Sequence, residues 1–393
     1  MRPYKKLAIL ICAALLASAL CGCSEKPGGA PEGGAVESTG PEGETQAPGD
    51  PSPDDGDTGD MSEIDFEAAF AAFAPDTAMI VMEDYTVTWA ELYFLIRERL
   101  KSELESVVSL PDFSQVQEGG FTFAETVMES AVGRALKFRA FEHGAKLIGF
   151  TPNSDQQAFL EYMINDILES VGDEDAFVEL LWENNGVKDL DLFKYLMYQD
   201  YLPYFIFMEM YGEFGEKLPD EEVALLTAND EYAVAKHIMR LRDETDAAAP
   251  INALEIVLRQ LRNYDGDDFG AFFNELMYEH SEDAGGLYDF PDGYLFRPGD
   301  MEPSFDEATR SLEIGEFSGI VESGDGYHII YRLPVNYDIV PIVYYRVNET
   351  DSLRALTAIG LLDEAMLGWK GTLSPVFTSE FESIDLSAIF VEK

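Results

Sequence analysis

Residues 326–331 read GYHIIY, which places a histidine inside an apolar, β-branched run. Side chains alternate along a strand, so His328 and Ile330 share one face. Residues 232–241, YAVAKHIMRL, are typical of a second strand in which His237 follows the same alternation. Either histidine alone could be a core residue with satisfied ring nitrogens. Together they could meet across one face of a small sheet.

The segments between these two runs predict a compact unit of about 105 residues, the size of one small domain. Two amphipathic helices are expected at 251–263 and 268–281, followed by a Gly/Pro/Asp-rich loop to Pro303. A helix at 304–312 and strands at 318–323 and 327–333 complete the unit. The predicted order is β-α-α-loop-α-β-β, a small α/β domain.

The preceding 160 residues predict mostly helix. Residues 79–88 indicate a short hairpin, and two Thr-x-x-Glu capping boxes, at 88–91 and 122–125, start helices ending near Leu104 and Gly149. Further helices are expected at 155–170, 174–184 and 189–211. The aromatic and methionine residues of the last helix favour a helix core, with an adaptable cradle for unfolded chains as the alternative.

The carboxy-terminal residues 336–393 predict too little structure to fold alone. A strand at 339–347, a helix at 352–369 and an apolar end are expected there. We therefore expect this segment to return to the helical part of the chain.

The amino terminus has the features of an export signal. MRPYKK is basic and LAILICAALLASAL is apolar but short for a membrane span. Leu20-Cys21-Gly22-Cys23 resembles a bacterial lipobox, which implies cleavage after residue 22 and lipidation of Cys23. An uncleaved anchor is the alternative. Residues 23–62 are acidic and rich in Gly and Pro, and indicate a disordered tether.

Cysteine content and charge exclude several classes of function. All three cysteines, Cys12, Cys21 and Cys23, lie in the amino-terminal segment, so the exported body has no cysteine nucleophile, disulfide or cysteine metal site. The formal net charge is −49. The electrostatic field of this negative charge repels nucleic-acid phosphates, so a neutral or basic polypeptide is a better candidate partner.

Several motifs resemble the parvulin-type peptidyl-prolyl isomerases. In family order these are KHI at the first strand, HSED at 280–283, PDGYLFRPGDMEPSFDEA at 291–308, LEIGEFSGIVES at 312–323, and GYHII. The lipobox, tether, helical region and carboxy-terminal return resemble the PrsA-type foldase lipoproteins of Gram-positive bacteria. The resemblance implies an α+β fold. A mostly helical, discontinuous chaperone domain (63–229 with 336–393) carries an inserted parvulin-like domain (230–335).

The resemblance also implies the site residues. His237 and His328 match the paired histidines, and Asp283 matches a position beside the reacting peptide bond. Met301 and Phe305 match the apolar pocket for the proline ring, with Ser323 at its rim. The loop 285–290 departs from the family's glycine-rich pattern, which leaves Leu295 doubtful as a pocket residue. An acidic stretch at 242–250 replaces a basic phosphate-binding patch.

The implied function is that of a foldase on the extracytoplasmic face of the cell membrane. It would be held there by lipid only and would isomerise X–Pro bonds in exported, unfolded polypeptides. Rotation about the amide breaks no bond, although its barrier is about 18–20 kcal/mol, so neither a nucleophile nor a metal or cofactor is expected. The alternative is a non-catalytic holdase with a vestigial parvulin fold. A solute-binding lipoprotein would need two similar α/β lobes, and one is predicted.

Overall fold

The computed structural model describes residues 64–104, 112–117, 119–345 and 351–391. The expected signal peptide, Cys23 and the tether lie outside these residues. The chain divides into two compact units. Unit 1 comprises the described residues up to Ile206 and from Ala365 onward, and unit 2 comprises Phe207–Glu364. No helix within the described ranges has the length and apolarity needed to cross a membrane.

The elements follow the chain in this order. The helices are α1 (Phe66–Phe70), α2 (Trp89–Leu104), α3 (Phe123–Ile148), α4 (Ser154–Val171), α5 (Glu174–Asn185), α6 (Leu190–Tyr211), α7 (Asp220–Leu226), α8 (Ala249–Arg262), α9 (Phe269–His280), α10 (Pro303–Ser311), α11 (Ile342–Tyr345), α12 (Leu353–Thr372), α13 (Ser379–Glu382) and α14 (Leu386–Ile389). The strands are β1 (Ala78–Val81), β2 (Thr86–Thr88), β3 (Ala233–Leu241), β4 (Tyr294–Phe296), β5 (Phe317–Glu322), β6 (Gly326–Leu333) and β7 (Val376–Phe377).

Local sequence signals account for the helices of unit 1. The capping box at Thr122 forms in both directions, since Glu125 N–H donates to the threonine hydroxyl and the Glu125 carboxylate accepts from Thr122 N–H. Gly149 ends this helix in the left-handed conformation at φ 70°. In α6, Leu202, Phe205 and Ile206 are buried, as a helix core requires.

Both ends of the chain build unit 1. β7 extends the β1–β2 hairpin antiparallel, with Val376 opposite Val81. Phe390 stacks on Tyr93 of α2 with 6.0 Å between ring centroids. The return to the helical unit is thus seen from Ala365 onward, whereas the described residues of 336–364, which were also expected to return, belong to unit 2. The predicted fold class, a discontinuous helical domain with an inserted small α/β domain, is confirmed.

Unit 2 contains a four-stranded antiparallel sheet in the order β4-β3-β6-β5. Helices α8 and α9 cover one face, where Ile238 and Ile329 are buried against Phe273. On the opposite face Ile330 packs against Phe305 of α10. Successive residues of β6 thus lie on opposite faces of the sheet, as the alternation of GYHIIY predicts.

Two secondary-structure predictions for unit 2 were wrong. The loop predicted between α9 and α10 contains the three-residue strand β4, which pairs with β3. The strand predicted at 339–347 is in part the short helix α11. Pro341 lacks an N–H for a strand ladder, but its carbonyl accepts from Tyr344 N at 3.0 Å and so opens the helical turn.

Unit 2 is wider than the range 230–335 assigned from the sequence. Arg354 donates to the Leu218 carbonyl at 2.5 Å and to the carboxylates of Asp220 and Asp338 at 2.5 and 2.6 Å. These bonds join the segments before β3 and after β6 within the unit. The domain boundaries given in the sequence analysis remain predictions.

Candidate active site

The two strand histidines form one hydrogen-bonded pair. In the β3–β6 register His237 lies opposite Ile330 and His328 lies opposite Met239, so the histidines are diagonal neighbours on one face. Their Nδ1 atoms are 2.9 Å apart, and the rings are 6° from parallel. Both side chains are buried. The expectation that they meet across the sheet is confirmed.

Each outer ring nitrogen has a partner from a different segment. His237 Nε2 lies 2.5 Å from Asp283 Oδ2, and His328 Nε2 lies 2.6 Å from Ser323 Oγ. Ser323 follows β5 directly. Asp283 follows α9, in a segment held against β3 because Met239 N–H donates to the Ser281 hydroxyl at 3.1 Å. The fold therefore joins four side chains in one hydrogen-bonded row.

The Asp283 carboxylate accepts four hydrogen bonds. Besides His237, its donors are the Tyr294 hydroxyl at 2.6 Å and the backbone N–H groups of Gly285 and Gly286, each at 3.1 Å. A Cβ at Gly286 would lie 2.7 Å from Asp283 Oδ2, so this close approach requires glycine. Burial disfavours the charge, but the bonds from His237 and Tyr294 outweigh it and lower the pKa of Asp283 to about 2.

His328 is neutral near pH 7. Burial removes the solvation of an imidazolium, and the adjacent His237 further disfavours the charge, although Asp283 opposes both effects. The result is a pKa of about 4 for His328.

The hydrogen-bond count assigns the direction of each bond in the row. Ser323 Oγ already accepts from Asp325 N at 3.2 Å and Gly326 N at 3.3 Å, which uses both lone pairs. Its hydroxyl hydrogen therefore points to His328 Nε2. His328 Nδ1–H then donates to His237 Nδ1, and His237 Nε2–H donates to the carboxylate. All donors in the row point toward Asp283.

An apolar slot lies over the histidine pair, in a cavity of about 180 Å³. Phe305 contacts both imidazoles edge-on, with centroid distances of 5.2 Å to His237 and 5.7 Å to His328. Met301 and Ile342 add aliphatic and thioether surface. The cavity thus has an apolar wall and a floor of imidazole edges and faces.

The structure brings all six site residues predicted within the described ranges to this one cavity. They are His237, Asp283, Met301, Phe305, Ser323 and His328. Their functional roles remain predictions. Within the described ranges, no three His, Cys, Asp or Glu side chains are grouped as a metal site requires.

Sequence reasoning did not assign five residues of the cavity lining to the site: Met239, Tyr294, Glu302, Asp325 and Ile342. Tyr294 lies in β4, opposite Ala235, and so shares the face of His237. Leu295, the doubtful pocket residue, is buried with Val234 on the other side of the strand. In the sequence, the only indication of a difference near Tyr294 was the departure of loop 285–290 from the family's glycine-rich pattern.

Comparison with known proteins gives the identity of this segment. Residues 237–333 match the Rotamase family, described as a PPIC-type PPIASE domain. The chain therefore contains a domain of the parvulin type, as the sequence predicted.

Curated relatives match about a quarter of the chain. The foldase protein PrsA of Oceanobacillus iheyensis is 41% identical over 96 residues, which are 24% of this chain and 27% of that protein. The chaperone SurA of Nitrosococcus oceani is 36% identical over 99 residues, 25% and 22% of the two chains. The chain thus spans about a quarter of the length of these relatives.

Among solved structures, a PrsA peptidylprolyl isomerase from Bacillus cereus is similar over 69% of this chain and 95% of its own. The sequence identity is 18% and the TM-score is 0.29. At that TM-score the superposition adds nothing to the assignment.

Proposed function

We propose that this protein is a lipid-anchored foldase of the extracytoplasmic membrane face that isomerises X–Pro bonds in unfolded exported polypeptides. The observation that carries the proposal is the apolar slot of Met301 and Phe305 directly over the His237–His328 pair, in a domain of PPIC type. The relatives named foldase and chaperone support the wider role. The lipobox at Cys23 supports the anchor.

The slot suits a reaction that breaks no bond. A planar X–Pro amide is stabilised by resonance, and the twisted amide has lost it. Resonance separates charge between the oxygen and the nitrogen, so transfer from water into a cavity walled by Met301 and Phe305 disfavours the planar form more than the twisted one. Such differential stabilisation accelerates rotation, and a thousandfold acceleration needs only about 4 kcal/mol.

The hydrogen-bonded row holds the floor of the slot in one arrangement. Asp283 has four donors, so it is a poor acid or base for the substrate, and we assign it to positioning His237. Because each bond depends on the next, removal of one member redirects the others. A fixed field under the amide requires no reorganisation during rotation.

The helical unit is assigned to holding the client polypeptide. On α4, Phe159 and Tyr162 are exposed, and Phe159 contacts Tyr201 of α6 at 5.2 Å between ring centroids. Exposed aromatic side chains of this kind bind apolar segments of unfolded chains.

The test is isomerisation of proline peptides by the full-length chain, measured by NMR exchange spectroscopy with aggregation of an unfolded client as a parallel readout. We expect acceleration of cis–trans exchange and suppression of aggregation. Suppression of aggregation with no acceleration of any X–Pro peptide would establish the holdase alternative, in which the histidine row is structural.

A further inference from the structure

Two carboxylates stand at the mouth of the slot. Glu302 and Asp325 both line the cavity, one at the start of α10 and the other in the β5–β6 turn. Glu302 is half-buried and fixed, since its Oε2 accepts from Gly324 N at 2.7 Å. Asp325 is exposed. Both carboxylates therefore belong to the cavity lining near the β5–β6 turn.

The neighbouring cations are already paired. Arg242 lies 2.9 Å from Glu322 and also donates to the Ser323 carbonyl, while Arg240 lies 3.0 Å from Glu282. Across the described part of the chain, neither carboxylate at the mouth has an ion-pair partner, and the cavity lining includes no Lys or Arg. The histidine pair beneath adds no compensating charge in the hydrogen-bond arrangement derived above.

We infer that this site selects X–Pro segments that carry Lys or Arg next to the proline, with Glu302 and Asp325 as the specificity-determining residues. The inference rests on the proposed function of the slot. A flexible basic side chain beside a proline held against Phe305 can reach either carboxylate. Both remain hydrated enough that pairing does not require a buried charge. An acidic or phosphorylated neighbour would meet like charge instead.

The expected size of the preference follows from partly exposed ion pairs. One such pair changes an equilibrium by about 1.4-fold to 5-fold, so two together would give roughly twofold to 25-fold. We take the middle of this range, roughly threefold to tenfold, as the expected preference for a cationic neighbour over a neutral one. The preference should shrink in high salt, because exposed pairs are screened.

The experiment uses the full-length chain and peptides that differ at one residue beside proline. One series places Lys, Leu or Glu before proline and the other places them after it, and kcat/KM is measured for each. We expect the Lys peptide to exceed the Leu peptide by roughly threefold to tenfold in at least one series, and to exceed the Glu peptide by more. The series that shows the preference identifies the side of the proline that faces the carboxylates.

The double variant Glu302→Gln with Asp325→Asn should abolish this ratio. Glutamine at 302 can still accept from Gly324 N–H, so the turn is retained. The double variant Glu255→Gln with Glu275→Gln is the matched control, because both residues are exposed on α8 and α9, on the opposite face of the sheet, and it removes the same two negative charges. Loss of the preference in this control would attribute it to the overall charge and overturn the inference.

Failure of the inference and failure of the proposed function give different results. Equal kcat/KM for all neighbours would overturn the charge preference and leave the isomerase intact. If no peptide is isomerised, the affinities of the same peptides are compared by NMR titration of the slot. Tighter binding of Lys peptides that is lost in the double variant still supports the inference, and equal binding overturns it.

Discussion

Acidification should destabilise unit 2 through His328. In the unfolded chain this imidazole has its ordinary pKa of 6.5, and in the folded unit burial and the neighbouring His237 lower the pKa to about 4. Between these values the unfolded state binds the proton and the folded state does not, so stability falls as pH falls. The contribution is complete above pH 6.5 and is lost progressively down to about pH 4.

The magnitude follows from the two pKa values of His328. One pKa unit corresponds to about 1.4 kcal/mol, so the decrease to about 4 corresponds to about 3 kcal/mol of unfolding free energy. Asp283 affects the stability at lower pH. Its pKa falls from 3.8 to about 2, so its contribution is lost below about pH 4. The two windows meet near pH 4 without overlapping.

The assay must report on unit 2 alone. The tryptophans Trp89, Trp182 and Trp369 all lie in unit 1, so their fluorescence does not follow this transition. Urea unfolding of the full-length chain between pH 4 and 7.5 is therefore read by pulsed hydrogen exchange in the peptides of β3 and β6. His328→Gln should flatten the profile, and the control His280→Gln, outside the cavity lining, should not. An equal unfolding free energy at pH 6.5 and pH 4 in the wild type would refute the reasoning.

Three further predictions concern the slot and the anchor. Phe305→Ala should lower the free energy of unfolding by about 3–5 kcal/mol and lower kcat/KM for X–Pro peptides. Client aggregation should still be suppressed. An unchanged kcat/KM would show that Phe305 does not line the substrate slot. His237→Ala and His328→Ala should each lower isomerisation, and the double variant should lose less than the product of the single effects, because both act in one row; strictly multiplicative losses would contradict this. Cys23→Ala should leave an unprocessed or released protein, as membrane fractionation and mass spectrometry of the amino terminus would show, and normal membrane retention would count against the lipidation site.

The histidine pair could be predicted because strand parity fixes a face. Once both GYHIIY and YAVAKHIMRL are strands of one sheet, the alternation of side chains determines the face of the sheet on which each histidine ring lies. The exposed or buried state of a periodic run is a local property of the sequence. Asp283, Met301 and Phe305 needed the family resemblance, since no periodic pattern connects the turn after α9 with the start of α10.

Tyr294 could not be placed in the same way. Its strand β4 is three residues long and is followed by Arg297-Pro298-Gly299, so it is too short for an alternation to be recognised. Its side chain lies on the histidine face because Tyr294 pairs with Ala235, two residues from His237. This pairing of an edge strand depends on tertiary structure, and the local sequence propensity does not predict it.

The position of Ile342 implies that the functional unit exceeds the recognised domain. Ile342 lines the slot, yet it lies outside the matched range 237–333. It follows Pro341, which forms an isolated parallel β-bridge with Leu295 of β4. The next turn is held by Phe290, which packs edge-on to Tyr345 at 4.7 Å. A slot wall built this way exists only when the exit segment is folded back on the sheet. Kinetic constants should therefore be measured on chains that include unit 2 to Glu364, because a domain cut at 335 lacks Ile342 of the cavity lining.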